Sequence, residues 1–128
     1  MFQQITRDIK ISVKTKYNGI VSHGQTTYHA FSYFITITNK SKETVQLLER
    51  YWNIYDSLNN SEFIEGKGVV GQTPVLHPNS EYNYTSNCFL SSTAGSMSGN
   101  YKMINLNTSE EFLVNIPNFQ LITTPTLN

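Results

Sequence analysis

The sequence predicts an all-β protein, and three observations carry that prediction. Branched and aromatic residues are plentiful, with eight Tyr and seven Phe, and these side chains suit a pleated, half-buried surface. Alanine, the best helix former, occurs only at Ala30 and Ala94. Runs of alternating apolar and polar residues recur between turn signals at the spacing of about 8–12 residues expected of a sandwich or barrel. We therefore expect one domain over residues 1–128, with its core at about 5–122. Seven to eight strands would form two antiparallel sheets in an immunoglobulin or fibronectin type III-like β-sandwich.

The elements follow in order. From Ile5 to Tyr17, Ile9, Ile11 and Val13 take one face, while Asp8, Lys10, Ser12, Lys14 and Lys16 take the other. The lysine row reads as a solvated face that discourages edge pairing. "NGIVSHGQTT" is expected to be a loop. In "YHAFSYFITITN" (28–39), Phe31, Tyr33, Ile35 and Ile37 share a face, and "NKSKE" turns the chain. "TVQLLERYWNIYDS" (44–57) is apolar enough for a helix to compete. Its branched and aromatic content favours a long central strand, with Leu48, Trp52 and Ile54 inward and Trp52 as a core anchor.

"FIEGKGVVGQTPVLHP" reads as two short strands around glycines. In "HPNS" (77–80), Pro78 presets the second turn position and Asn79 tolerates the third. "EYNYTSNCF" pairs Tyr82 and Tyr84 on one face, and 90–99 is expected to be a small-residue loop. "NYKMINL" and "EEFLVNIPNFQLI" close the fold, Pro117 limits the last ladder, and the tail "TTPTLN" is expected to fray.

Composition bounds the function. Nine basic residues balance nine acidic ones, so no net field draws the chain to nucleic acid or anionic lipid. No apolar stretch approaches the ~20 residues of a membrane helix. "MFQQITRDIKIS" lacks the basic start and apolar run of a signal peptide. The lone Cys88 excludes an internal disulfide framework and fits a reducing cytosol, so a cytoplasmic protein is expected.

"GKGVVG" (66–71) matches G-x-G-x-x-G, the pattern of a dinucleotide-binding loop. That loop needs a following helix, whose N-terminus holds the pyrophosphate. Here "QTPVLHPNS" follows, and its two prolines and branched residues leave no room for one. Two readings stay open. Gly66 and Gly68 could supply positive φ in a bulge or tight crossover. Alternatively, the amides of Gly66, Lys67, Gly68, Val69, Val70 and Gly71 could form an anion-binding nest, with Lys67 adding charge.

Other chemistry finds little support. His23, His29 and His77 are scattered, and Glu110 and Glu111, as strand neighbours, would point to opposite faces, so no metal site is assigned. Ser91, Ser92, Ser96 and Ser98 crowd one stretch without a nucleophile elbow. Cys88 has no Lys, Arg or His beside it and reads as buried. Neither a catalytic set nor a cofactor is assigned. Tyr28, Tyr33, Tyr51, Tyr55, Tyr82, Tyr84 and Tyr101 serve equally as cross-strand pairs or as a partner patch, and exposed sheet edges invite strand addition or homodimerisation.

These parts together resemble the ApaG (CorD) family over about Ile5 to Ile122. The resemblance rests on "ITRDIKISVKTKY", "YFITITN", "VQLLERYW", "GKGVVGQTPVLHPNSEYNYTS", the Cys88–Tyr101 block and "IPNFQL". Tyr51 stands where the family usually has His in Arg-His-Trp, Asn79 and Asn87 stand for common glycines, and Asn118 stands for a second proline. The resemblance implies a fibronectin type III-like sandwich without enzymatic activity, linked to cobalt and magnesium efflux or resistance and acting by binding. As alternatives it leaves a protein-interaction module with an indirect metal phenotype, and a phosphate or pyrophosphate binder through 66–71.

Overall fold

The computed structural model describes residues 1–123 and places nine strands, with no helix among them. They are β1 (Phe2–Thr6), β2 (Ile9–His23), β3 (Thr26–Asn39), β4 (Val45–Asp56) and β5 (Glu62–Lys67), then β6 (Val75–Leu76), β7 (Glu81–Leu90), β8 (Ala94–Asn105) and β9 (Glu111–Ile122). One sheet has the order β1-β2-β3-β7. The other runs β5-β4-β8-β9, with β6 also on β4, and every pairing is antiparallel. The chain therefore crosses between sheets after β3, after β6 and again after β7, as in an immunoglobulin or fibronectin type III-like sandwich. The tail from 124 lies outside the described residues.

Alternation builds the core. Ile9, Ile11 and Val13 on β2 and Phe31, Tyr33, Ile35 and Ile37 on β3 are buried from one side. Leu47, Trp52, Met97, Tyr101, Met103, Val114, Phe119 and Leu121 meet them from the other. Trp52 is the anchor expected. Its ring lies 5.5 Å from Tyr33, 6.4 Å from Tyr101 and 5.9 Å from Phe119, edge-on to each.

Four local expectations are corrected. The first predicted strand is a hairpin, because Arg7 and Asp8 adopt φ of 48° and 65° and make a two-residue turn of type I′ character. The turn inverts the alternation, so Ile5 pairs with Lys10 on the outer face while Ile9 is buried. The expected loop 18–27 is mostly ladder, with β2 running to His23 and β3 starting at Thr26. A protruding hairpin needs only its backbone bonds, so it shows no apolar alternation. The expected loop 90–99 narrows to 91–93. Its small residues instead let β8 approach β4, where a Cβ on Gly99 would collide with the Tyr51 carbonyl. A bulge between Leu47 and Glu49 shifts the phase of β4, so Leu47 rather than Leu48 is buried beneath the sheet with Trp52. The ninth strand comes from the split hairpin.

Buried polar side chains pin the ends of the sandwich. Asn39, fully buried on β3, donates from Nδ2 to the carbonyls of Glu43 at 2.8 Å and of Leu76 at 3.0 Å. Its Oδ1 accepts from the Ser41 amide at 2.9 Å and the Ser41 hydroxyl at 2.6 Å. Leu76 belongs to β6, so one side chain ties the two sheets together. At the opposite end Asp56 accepts from the amides of Ser91 at 2.7 Å and Leu58 at 3.1 Å, and from Asn59 Nδ2 at 3.4 Å. Burial disfavours its charge, but the hydrogen bonds from Ser92, Ser91, Leu58 and Asn59 outweigh that and hold its carboxyl below the usual range.

Two outcomes follow. Asn39→Ala orphans the carbonyls of Glu43 and Leu76 and the amide of Ser41, and should cost about 3 kcal/mol in urea unfolding at neutral pH. For Asp56 the folded state binds its proton less readily than the unfolded chain. Its contribution is therefore complete above the unfolded pKa of about 3.9 and is lost as pH falls through the lower folded value. Asp56→Asn should be less stable than the natural chain at pH 7, with the gap closing below about pH 4. A gap that stays constant between pH 7 and pH 3 would count against this assignment.

Candidate functional site

The glycine segment begins in the ladder of β5 and leaves it at a tight turn. Gly66 pairs with Arg50 and Lys67 with Glu49 across β4. The Gly68 amide donates to the Leu48 carbonyl at 2.8 Å. The Val69 amide donates to Gln72 O at 2.8 Å, and the Gln72 amide returns to Val69 O at 2.9 Å. Val70 and Gly71 between them have φ of 47° and 78°, again a turn of type I′ character. Of the two glycines expected to need positive φ, only Gly68 does, at 66°.

Gly66 answers a different need. The Arg50 guanidinium lies beneath it, with Nη1 2.8 Å from where a Cβ would sit. The same Nη1 donates to the carbonyls of Lys67 at 3.1 Å and Gly68 at 3.0 Å. Arg50 thus staples the segment to β4, a role that residue spacing alone does not reveal. The nest reading requires amides pointing together at a ligand. Those of Gly68 and Val69 are committed to backbone carbonyls, and Arg50 faces carbonyl oxygens.

A depression of about 890 Å³ borders this segment and is lined by Gln46, Leu48, Glu49, Tyr51, Glu65, Gly66, Lys67 and Thr73. Two carboxylates face a single ammonium there, so the local charge does not favour a phosphate. Tyr51 donates to Glu49, and that hydrogen bond raises its pKa.

The remaining candidates separate. His29 Nδ1 shares a 2.9 Å hydrogen bond with the Tyr17 hydroxyl, while His23 and His77 are exposed. Glu110 forms a 2.8 Å ion pair with Arg7, whose guanidinium also lies 4.5 Å over the Phe112 ring, whereas Glu111 pairs with Lys102. Among the described residues no three of His, Cys, Asp and Glu come close enough to hold a metal ion. Cys88 is buried, and its thiol is pushed up to about 11, chiefly by burial.

A second surface was not visible in the sequence. The β2–β3 hairpin carries exposed Ile20 and Val21 past the end of the sandwich. Val21, Ser22, His23, Tyr28 and Phe89 line a mostly apolar depression of about 470 Å³ there, with Phe89 57 % exposed. The register that brings Phe89 beside Tyr28 and Val21 is a tertiary fact.

Val70 offers a direct check of the turn. A β-branched residue at positive φ is strained by about 1–2 kcal/mol, and its side chain is 61 % exposed, so little packing offsets that. Val70→Asn should raise stability by about 1 kcal/mol in urea unfolding. A loss of stability would show that the side chain is held by contacts rather than tolerated.

Comparison with known proteins converges on one family. The family model described as "ApaG domain" matches residues 21–105, which include the residues lining both depressions. Relatives include Protein ApaG of Brucella suis biovar 1 (strain 1330), 38 % identical over 94 % of this chain and 92 % of that protein. Protein ApaG of Mesorhizobium japonicum is 42 % identical with the same coverage of each. Among solved structures, that of a Northeast Structural Genomics Consortium target superposes with TM-score 0.87 at 37 % identity, covering 94 % of this chain and 90 % of that one. The structure of an ApaA protein from Bordetella pertussis gives 0.81 at 32 % identity, covering 93 % and 96 %. No helix among the described residues is long and apolar enough to cross a membrane. A chain with this sandwich, this glycine segment and these relatives belongs to the ApaG family.

Proposed function

We propose that this chain acts by binding another protein, without catalysis of its own, and that it contributes in this way to cobalt and magnesium tolerance in the cytoplasm. The observation that carries the binding reading is the apolar surface of Ile20, Val21, Tyr28 and Phe89 on the protruding hairpin. Ile20 is 65 % exposed and Phe89 57 % exposed, an arrangement typical of a protein contact. The metal tolerance comes from the ApaG resemblance. It fits an indirect role, because the histidines and carboxylates lie apart or in ion pairs. Phosphate or pyrophosphate binding at 66–71 is the lesser reading, since Glu49 and Glu65 flank Lys67.

The experiment compares the natural chain with a Val21→Ser/Phe89→Ser variant as bait in a cell lysate, alongside cobalt tolerance of cells lacking the gene. The natural chain should retain one stoichiometric partner that the variant loses with its circular dichroism unchanged, and deletion should alter tolerance. Equal capture by both chains would move the binding surface elsewhere. Unaltered tolerance would remove the metal role, and calorimetric heat from pyrophosphate that Lys67→Ala abolishes would favour the anion reading.

A further inference from the structure

The four sheet edges of this sandwich are unequally defended. On one side β1 lies along β9: the Asn115 amide donates to Thr6 Oγ1 at 3.2 Å, and the Phe2 and Phe119 rings lie 6.2 Å apart. β9 itself carries Pro117, which has no amide to donate, and a register shift opposite Met97–Gly99. On the other side β5 is six residues long and carries Glu62, Glu65 and Lys67, the charges and brevity that deter a second strand.

β7 has none of these devices. It is ten residues long and its register with β3 contains no shift. It has no proline or glycine, and its single charge, Glu81, sits at one end. Outside its ladder with β3, no backbone hydrogen bond joins Glu81–Leu90 to another described residue. Tyr82 and Tyr84 are half-buried along the same strand, and Phe89 is exposed on it.

We infer that β7 pairs antiparallel with β7 of a second copy, joining two four-stranded sheets into one of eight across a two-fold axis. The strand is self-complementary in this sense. An axis perpendicular to the sheet keeps outer face beside outer face, so residues on the same face must oppose one another. Centring on Thr85 sets Thr85 against its own copy, Asn83 against Asn87 and Glu81 against Phe89, with no like charges opposed. The basic row of Lys10, Lys14 and Lys16 lies on β2, two strands inward. The two rows would stand five strand spacings apart, about 24 Å, beyond the Debye length of about 8 Å at physiological salt. Tyr82, half-buried on the same strand, then flanks the joint, where an apolar ring with a polar tip is favoured.

This inference rests on the β7 edge, which shares only Phe89 with the residues lining the hairpin depression, and different variants test the two. Thr85 and Asn87 are exposed, so Thr85→Lys/Asn87→Lys leaves the core intact and opposes lysines in the register centred on Thr85 and in the neighbouring one centred on Ser86. In sedimentation equilibrium the natural chain should be dimeric and the double variant monomeric, with unchanged circular dichroism. Hydrogen exchange of β7 amides in the natural chain should speed up on dilution. A natural chain that stays monomeric at its highest soluble concentration would overturn the proposal, as would a dimer that persists in the variant. Protection of β7 only in a complex with another protein would assign the edge to that partner instead.

Discussion

The packing of Trp52 against Tyr33, Tyr101 and Phe119 is the contact on which the rest of the molecule depends. A β-sheet with one apolar face must cover it, and these rings fill the space between the two sheets where both contribute large side chains. They also bring a polar cost into the middle of the core. Tyr101 is fully buried, and its hydroxyl meets that of Tyr84 from the opposite sheet in a short hydrogen bond. Burial raises the pKa of both phenols, so the pair stays neutral and each satisfies the other. The same contact that fills the core thus fixes how one sheet lies over the other.

Toward the ends of the sandwich, side chains replace the sheet as partners for the backbone. Asn39 at one end and Asp56 at the other accept or donate to loops that would otherwise bury bare amides and carbonyls. Asn105 does the same for the Asn107 and Thr108 amides in the turn before β9. These residues convert crossings between sheets into fixed turns. The glycine segment is positioned by the same logic, since Arg50 supplies donors to its carbonyls while the Gly68 amide returns to the β4 backbone.

That arrangement changes the meaning of the G-x-G-x-x-G pattern. In a dinucleotide fold the glycines clear space for a ligand beside a helix. In this chain Gly66 clears space for the guanidinium of Arg50 and Gly68 meets a backbone demand at the exit from β5. An exposed apolar depression lies elsewhere, on a hairpin whose apolar residues extend beyond the core that the second sheet covers.

The sequence by itself determined the all-β class, the two buried faces of β2 and β3, the Trp52 anchor, the Pro78–Asn79 turn and membership of the ApaG family. Each rests on a period-two pattern or a short local motif, which is information carried by near neighbours in the chain. Tertiary structure alone decided the Arg7–Asp8 hairpin, the bulge that buries Leu47 instead of Leu48, and the use of small residues in 94–99 to bring β8 close to β4. It also decided that Arg50 sits under Gly66, and that Phe89 joins Val21 and Tyr28. Arg-Asp is not a favoured pair for a type I′ turn, and a bulge adds one residue without a compositional mark. Contacts between strands distant in sequence depend on register, which the whole core sets at once. Period and turn chemistry are local; edges, staples and surfaces exist only after the two sheets have met.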